Sequence, residues 1–184
     1  MCHFRHLLPR PRGITIHAAL AAIFLFIASA CDSIEDDRIP SLPVNINLAD
    51  RGMWNTYGIS GFGIHTEFIL TSNMRRPSGF PYTVQSATGF GGVLLIGGMD
   101  PYTTETDVPL AYDLACPVER QQDIRVEIDS RTLEAVCPVC GSHYDVTMAG
   151  GAPTSGPALT GKYKYGLRRY NCLPASAGGY VITN

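Results

Sequence analysis

Four cysteines in the second half of the chain, Cys116, Cys137, Cys140 and Cys172, are the residues whose type and spacing could do chemistry. A thiolate is a soft, charged ligand for zinc or iron, and a pair of thiols is the substrate for a disulfide. The order C-x20-C-x2-C-x31-C is compatible with a four-thiolate metal site, with two disulfides, or with one disulfide and two free thiols. Spacing alone does not choose among them. Elsewhere the chain is poor in reactive groupings. No serine stands in a nucleophile elbow, no glycine run leads into Gly-Lys-Ser/Thr, and Glu127, Asp129 and Glu134 alternate with apolar residues as on the wet face of a hairpin. His65, on an expected strand, suits a surface or core histidine better than a catalytic base. No grouping outside the cysteines marks a catalyst, and a non-enzymatic module is the expectation.

The surroundings of three of these cysteines narrow the choice. The run Cys137-Pro138-Val139-Cys140-Gly141-Ser142-His143-Tyr144-Asp145, followed by Gly156-Pro157-Ala158, resembles the second cluster-binding loop and the proline loop of Rieske iron-sulfur proteins. In that family one iron is held by two cysteines and the other by two histidines, arising from C-x-H and C-x2-H. The resemblance makes Cys116 and Cys137 the two thiolate ligands. It makes Ser142 a hydroxyl donor to a bridging sulfide and Tyr144 a donor to a ligand cysteine, and it makes Gly156 and Pro157 part of the covering loop. Both histidine positions are changed, to Val118 and Cys140. Valine offers no lone pair, Cys140 can ligate, and Glu119 or water could complete the coordination, whereas His143 falls where the family's residue points away from the metal.

The resemblance implies a 2Fe-2S cluster, and thiolate in place of imidazole would lower its reduction potential toward that of all-cysteine ferredoxins and remove the usual dependence on pH. Zinc on three thiolates with water or Glu119 is a second metal-bound form. A metal-free domain is the third reading, in which Cys116 pairs with Cys137 or Cys140 as a staple. Cys172 fits a buried core cysteine. Two functions follow: a redox or metal-binding module, or a cluster-free, disulfide-stapled structural or interaction protein.

Positioning these loops falls to strands. No stretch carries apolar residues at helical spacing over three turns, while short β-branched and aromatic runs punctuated by Gly, Pro and Asn recur. Strands are predicted over 64–70, 82–87, 93–96, 110–115, 124–128, 132–136, 167–172 and 180–183. Asp129-Ser130-Arg131 is the expected hairpin turn that returns Cys137 toward Cys116. No internal repeat is evident. The expected fold is all-β, a Rieske-like base sheet or sandwich with a small cluster-binding loop subdomain at about residues 115–158.

The amino terminus has the three parts of a bacterial export signal over residues 1–30: Arg5, Arg10 and Arg12, then an apolar run, then Ala28-Ser29-Ala30-Cys31. This ending resembles a lipobox, which would place a lipid on Cys31 and tether the protein to the membrane of a bacterial cell envelope, facing the periplasm or the cell surface. Residues 31–48, acidic and then proline-containing, form the expected tether, and 49–184 the domain. Removing the three signal arginines from fourteen basic side chains leaves eleven against sixteen acidic, a net charge of −5. That balance, without a basic cluster, argues against nucleic acid as a partner; the expected partners are the membrane and an envelope redox or assembly protein.

Overall fold

The computed structural model describes residues 33–100, 105–162 and 164–184. The expected signal segment and the expected lipidation at Cys31 lie outside the described residues. From Ile34 to Asn184 the chain forms one compact all-β unit.

Its base is an eight-stranded antiparallel sheet. The strands are β2 (Val44–Asp50), β3 (His65–Leu70), β4 (Arg75–Arg76), β5 (Ala87–Thr88), β6 (Val93–Met99), β7 (Thr106–Asp113), β13 (Arg169–Pro174) and β14 (Gly178–Thr183), in the order β4-β3-β6-β7-β13-β14-β2-β5. A smaller four-stranded antiparallel sheet holds β8 (Glu127–Ile128), β9 (Ala135–Val136), β10 (His143–Asp145) and β11 (Ala152–Ser155), in the order β11-β10-β9-β8. β1 (Ile34–Glu35) pairs in parallel with β12 (Lys164–Tyr165). Among the described residues of the unit two short helices complete it, α1 (Arg51–Tyr57) and α2 (Pro157–Thr160).

β6 explains how one sheet supports two cores. Its run Val-Leu-Leu-Ile is uninterrupted because both faces are covered: Val93 and Leu95 pack with Ile46, Leu48, Phe68 and Ile182, while Leu94 and Ile96 pack with Tyr112, Leu114, Val126, Tyr144 and Leu167. Successive side chains in a strand point to opposite faces, so an apolar residue at every position needs an apolar layer on each side. The second of these cores is the seam between the base sheet and the small sheet, and it contains Cys116 and Cys137.

Several elements depart from expectation, each for a local reason. The folded unit begins before residue 49: β2 starts at Val44 and pairs with β14, burying Val44, Ile46 and Leu48, while Arg168 Nε and Nη2 donate to the carbonyls of Ile39 and Asp37 at 2.6 and 2.8 Å. The alternation Val-Asn-Ile-Asn-Leu is a strand signal that the prolines before it obscured. No strand spans 82–86, because the Thr83 and Ser86 hydroxyls close a turn there and leave Val84 at its tip, 98 % exposed. Thr132 to Glu134 belong to the hairpin loop rather than to a strand. Asp129 Oδ1 accepts from Arg131 N at 2.8 Å, Leu133 N donates to Asp129 O at 2.8 Å, and Leu133 takes a left-handed φ of 59°. The expected strand 124–128 is shared between two partners. Cys116 N donates to Ile124 O at 3.0 Å and Val126 N to Leu114 O at 2.8 Å, whereas Glu127 and Ile128 pair with β9.

Candidate metal centre

Two turns of the same construction deliver the cysteines. In Cys116-Pro117-Val118-Glu119-Arg120, the Arg120 N–H donates to Cys116 O at 2.9 Å; in Cys137-Pro138-Val139-Cys140-Gly141, the Gly141 N–H donates to Cys137 O at 3.0 Å. The fifth residue of each is left-handed, Arg120 at φ 55° and Gly141 at φ 67°. Glycine takes this conformation at no steric cost, and arginine bears a modest one. Each turn is fastened at its base, Cys116 N to Ile124 O at 3.0 Å and Cys137 N to Ser142 O at 2.9 Å. The hairpin β8–β9 carries the second turn back to the first, as its sequence predicts.

The outcome is a cluster of three sulfurs. Cys116, Cys137 and Cys140 lie with their Sγ atoms all within 4.8 Å of one another, Cys116 and Cys137 buried and Cys140 half-buried. The Cys116–Cys140 distance is 3.6 Å. All four cysteines among the described residues are free thiols, so neither candidate pairing of Cys116, with Cys137 or with Cys140, is formed; a disulfide needs about 2.05 Å. Three thiols converging at this spacing can bind a metal ion.

Hydrogen-bond donors surround the sulfurs. Tyr144 Oη lies 3.5 Å from Cys116 Sγ, and the Val118 and Glu119 N–H groups also face that sulfur. Ser142 Oγ lies 3.2 Å from Cys140 Sγ. It also accepts the Ala158 N–H at 3.0 Å, which leaves its own proton free for a Cys140 thiolate. Ala158 belongs to α2, and Gly156 sits at φ 81° so close to the second turn that a Cβ there would meet Ser142 Cα at 2.7 Å and Gly141 O at 2.8 Å. The Gly156-Pro157 loop thus lies directly on the turn that carries Cys140.

These contacts split the thiols electrostatically. Burial pushes Cys116 up to about 12, against the donors from Tyr144 and the two N–H groups. Burial also acts upward on Cys140, but the Ser142 hydroxyl and N–H, with the neighbouring Cys137 and Cys116 thiols, outweigh it and hold Cys140 below the ordinary thiol value. Cys140 is therefore the first of the pair to ionise. Burial, and next the neighbouring Cys116, pushes Tyr144 upward, so it stays a neutral phenol able to donate.

A second buried constellation anchors the first turn. The Asp113 carboxylate, fully buried, accepts from Phe90 N at 2.9 Å, Gly91 N at 2.9 Å, Ala115 N at 2.7 Å and Tyr170 Oη at 2.5 Å. Ala115 is the residue before Cys116, so the end of β7 and the entry to the first turn share one clamp. Nothing in the sequence signal singled out Asp113. A lone acid at the end of an apolar strand, followed later by a tyrosine in another strand, is recognisable only in three dimensions.

The remaining candidates are placed as follows. Glu119 is half-buried and its carboxylate is not among the three converging ligands. His143 turns from the sulfurs to Glu134, Nδ1 to Oε2 at 2.9 Å, and Thr154 Oγ1 donates to the other Glu134 oxygen at 2.7 Å. Cys172 packs against the core of the base sheet, where burial pushes its thiol up to about 12, and is separate from the sulfur cluster. Away from the site, Trp54 and Tyr57 of α1 cover the base sheet, Trp54 on Tyr180 at a ring distance of 4.7 Å and Tyr57 edge-on to Phe80 at 5.2 Å.

The chain matches no protein-family model, and no curated protein matches it. The centre is therefore read from its own chemistry. A repeat of Cys-Pro-Val at 116–118 and 137–139 was present in the sequence and was not recognised there, because three residues separated by eighteen fall below the length at which self-similarity is noticed.

Proposed function

We propose that this protein is a metal-thiolate module of the bacterial cell envelope, in which Cys116, Cys137 and Cys140 hold one metal ion. The observation that carries this reading is the spacing of the sulfurs. Thiolates about 2.3 Å from a shared tetrahedral ion stand about 3.8 Å apart, and the Cys116–Cys140 pair is at 3.6 Å, with all three sulfurs within 4.8 Å. In a binuclear cluster, thiolates on opposite irons are separated by the breadth of the cluster, which is a wider spacing than this. Bound metal would replace the thiol protons, fix the two turns against each other and join the small sheet to the base sheet. The buried position of Cys116 makes such a metal a strong stabiliser, because the thiolate it requires is costly there without a cation.

A second reading keeps the iron-sulfur electron carrier. It is favoured by the hydroxyls of Ser142 and Tyr144 beside Cys140 and Cys116, placed as donors that tune a cluster's potential. Location in the envelope, with lipid on Cys31, is part of both readings and draws on the export-signal pattern of residues 1–31.

The test is the metal and sulfide content of the full-length protein purified without oxygen. The first reading expects one metal ion per chain and no acid-labile sulfide. Two irons with two sulfides and a visible cluster spectrum would establish the second instead. A colourless, metal-free protein with two fewer titratable thiols would refute both and support the disulfide-stapled structural role.

A further inference from the structure

Three sulfurs leave a tetrahedral ion one ligand short, and the two turns themselves indicate where the fourth comes from. Cys116-Pro117-Val118-Glu119-Arg120 and Cys137-Pro138-Val139-Cys140-Gly141 share their first three residues, the hydrogen bond from fifth to first residue at 2.9 and 3.0 Å, and a left-handed fifth residue. Position four of the second turn is Cys140, whose sulfur enters the cluster. Position four of the first turn is Glu119. We propose that Glu119 is the fourth ligand, closing a site of three sulfurs and one oxygen built from two copies of one turn.

This inference rests on the metal-thiolate reading and completes its coordination. Similar backbones place position four on the same side as the sulfur of position one. The second turn shows this in Cys140, which lies within 4.8 Å of Cys137, and the corresponding position of the first turn is Glu119. The Glu119 carboxylate is half-buried and makes no hydrogen bond or ion pair among the described residues, so no partner holds it away from a cation. His143, the other nearby ligand type, is engaged by Glu134. The carboxylate lies outside the sulfur cluster, so coordination needs the Glu119 side chain to move toward the sulfurs. The donors on Cys116 and Cys140 from Tyr144, Ser142 and the Val118 and Glu119 N–H groups suit a site that carries net negative charge.

A mixed sulfur-oxygen set also names the class of ion. It suits a divalent cation of the zinc type, which accepts thiolate and carboxylate together in four-coordinate sites. Cu(I), the softer alternative, is satisfied by sulfur and gains little from a carboxylate.

Cobalt(II) titration with visible spectroscopy, and zinc competition against a chelator, test this on the full-length protein and its Glu119→Ala, Glu119→Gln and Glu119→Cys variants. Glu119→Ala is expected to lower zinc affinity by at least about tenfold. Glu119→Cys should restore it, with thiolate-to-cobalt absorption stronger by about a third for four sulfurs in place of three. The metal-free variants are expected to melt with the parent, since Glu119 has no partner to lose; should the alanine variant misfold, the isosteric glutamine variant carries the comparison. Zinc affinity within about twofold of the parent in the alanine and glutamine variants, with an unchanged cobalt spectrum, overturns the role of Glu119 and leaves the three-sulfur site standing. A parent protein that takes up neither cobalt nor zinc overturns both.

Discussion

Tyr170→Phe isolates one bond in the clamp that joins the base sheet to the first cysteine turn. The phenol donates to Asp113 Oδ2 at 2.5 Å in a fully buried site, and the substitution removes only that donor while keeping the ring. A hydrogen bond to a charged group contributes about 1.5–3 kcal/mol. The carboxylate keeps the N–H groups of Phe90, Gly91 and Ala115, so the lower half of that range, about 1.5–2 kcal/mol, is the expected loss. At about 2–4 °C per kcal/mol for a domain of this size, the melting temperature should fall by about 3–8 °C. The pH dependence adds a second check. Burial holds the Asp113 carboxyl above the usual carboxylate range, with the Tyr170 hydroxyl foremost among the donors that offset it. A raised folded-state value means that stability is gained as pH falls through it toward the unfolded value. Removing the phenol raises the folded-state value further, so the variant gains more on acidification. The two stability curves should be farthest apart at neutral pH and converge as Asp113 becomes protonated. Denaturant melts of parent and variant across acidic and neutral pH measure this directly. Curves that coincide at neutral pH, or that run parallel throughout, would refute the clamp.

Tyr144→Phe should lower metal affinity about tenfold, the low end for an outer hydrogen bond because the contact to Cys116 is long at 3.5 Å; chelator competition reads it, and an unchanged affinity would show that the phenol does not act on the sulfur. In the metal-free, reduced protein, Cys140 should be alkylated before Cys116, with a midpoint below that of an ordinary thiol, while burial keeps Cys116 protonated; peptide mass spectrometry after pulses at increasing pH would expose the opposite order. Gly156→Ala combines a left-handed backbone with a collision against Ser142 Cα and Gly141 O, and should cost about 1–3 kcal/mol, seen as early hydrogen exchange at the Ala158 N–H; exchange like that of the parent would mean that the covering loop does not press on the turn. Gly141→Ala, with open space around it and only the left-handed φ to bear, should cost about 1–2 kcal/mol in a chemical melt, and a larger loss would point to a contact that the structure does not contain.

The local chemistry was legible where it is carried by neighbouring residues. Cys137-x2-Cys140 with Ser142 and Tyr144 is a single loop, so its resemblance to a cluster-binding loop could suggest ligands and donors that spacing alone did not choose, and the Asp129 turn announced the hairpin that returns Cys137 to Cys116. What failed was similarly local in origin. Prolines 40 and 43 masked the alternation in Val44 to Leu48. β-Branched Thr83 and Val84 suggested a strand where two hydroxyls close a turn. Thr132 and Leu133 were given to a strand, although the loop needs one of them left-handed.

The sequence by itself determined that the chain is built of strands, because residues of period two and turn-forming residues act within a few positions of one another. It also supplied the three thiols and their donors. The tertiary structure decided that Cys116 and Cys140, 24 positions apart, stand 3.6 Å from each other with no bond between them, and that Asp113, Tyr170 and Ala115 form one buried clamp behind the site. The packing of the small sheet against β6 and β7 brings the sulfurs together, and the pairing of β7 with β13 brings Tyr170 to Asp113; no pattern confined to one segment encodes either distance.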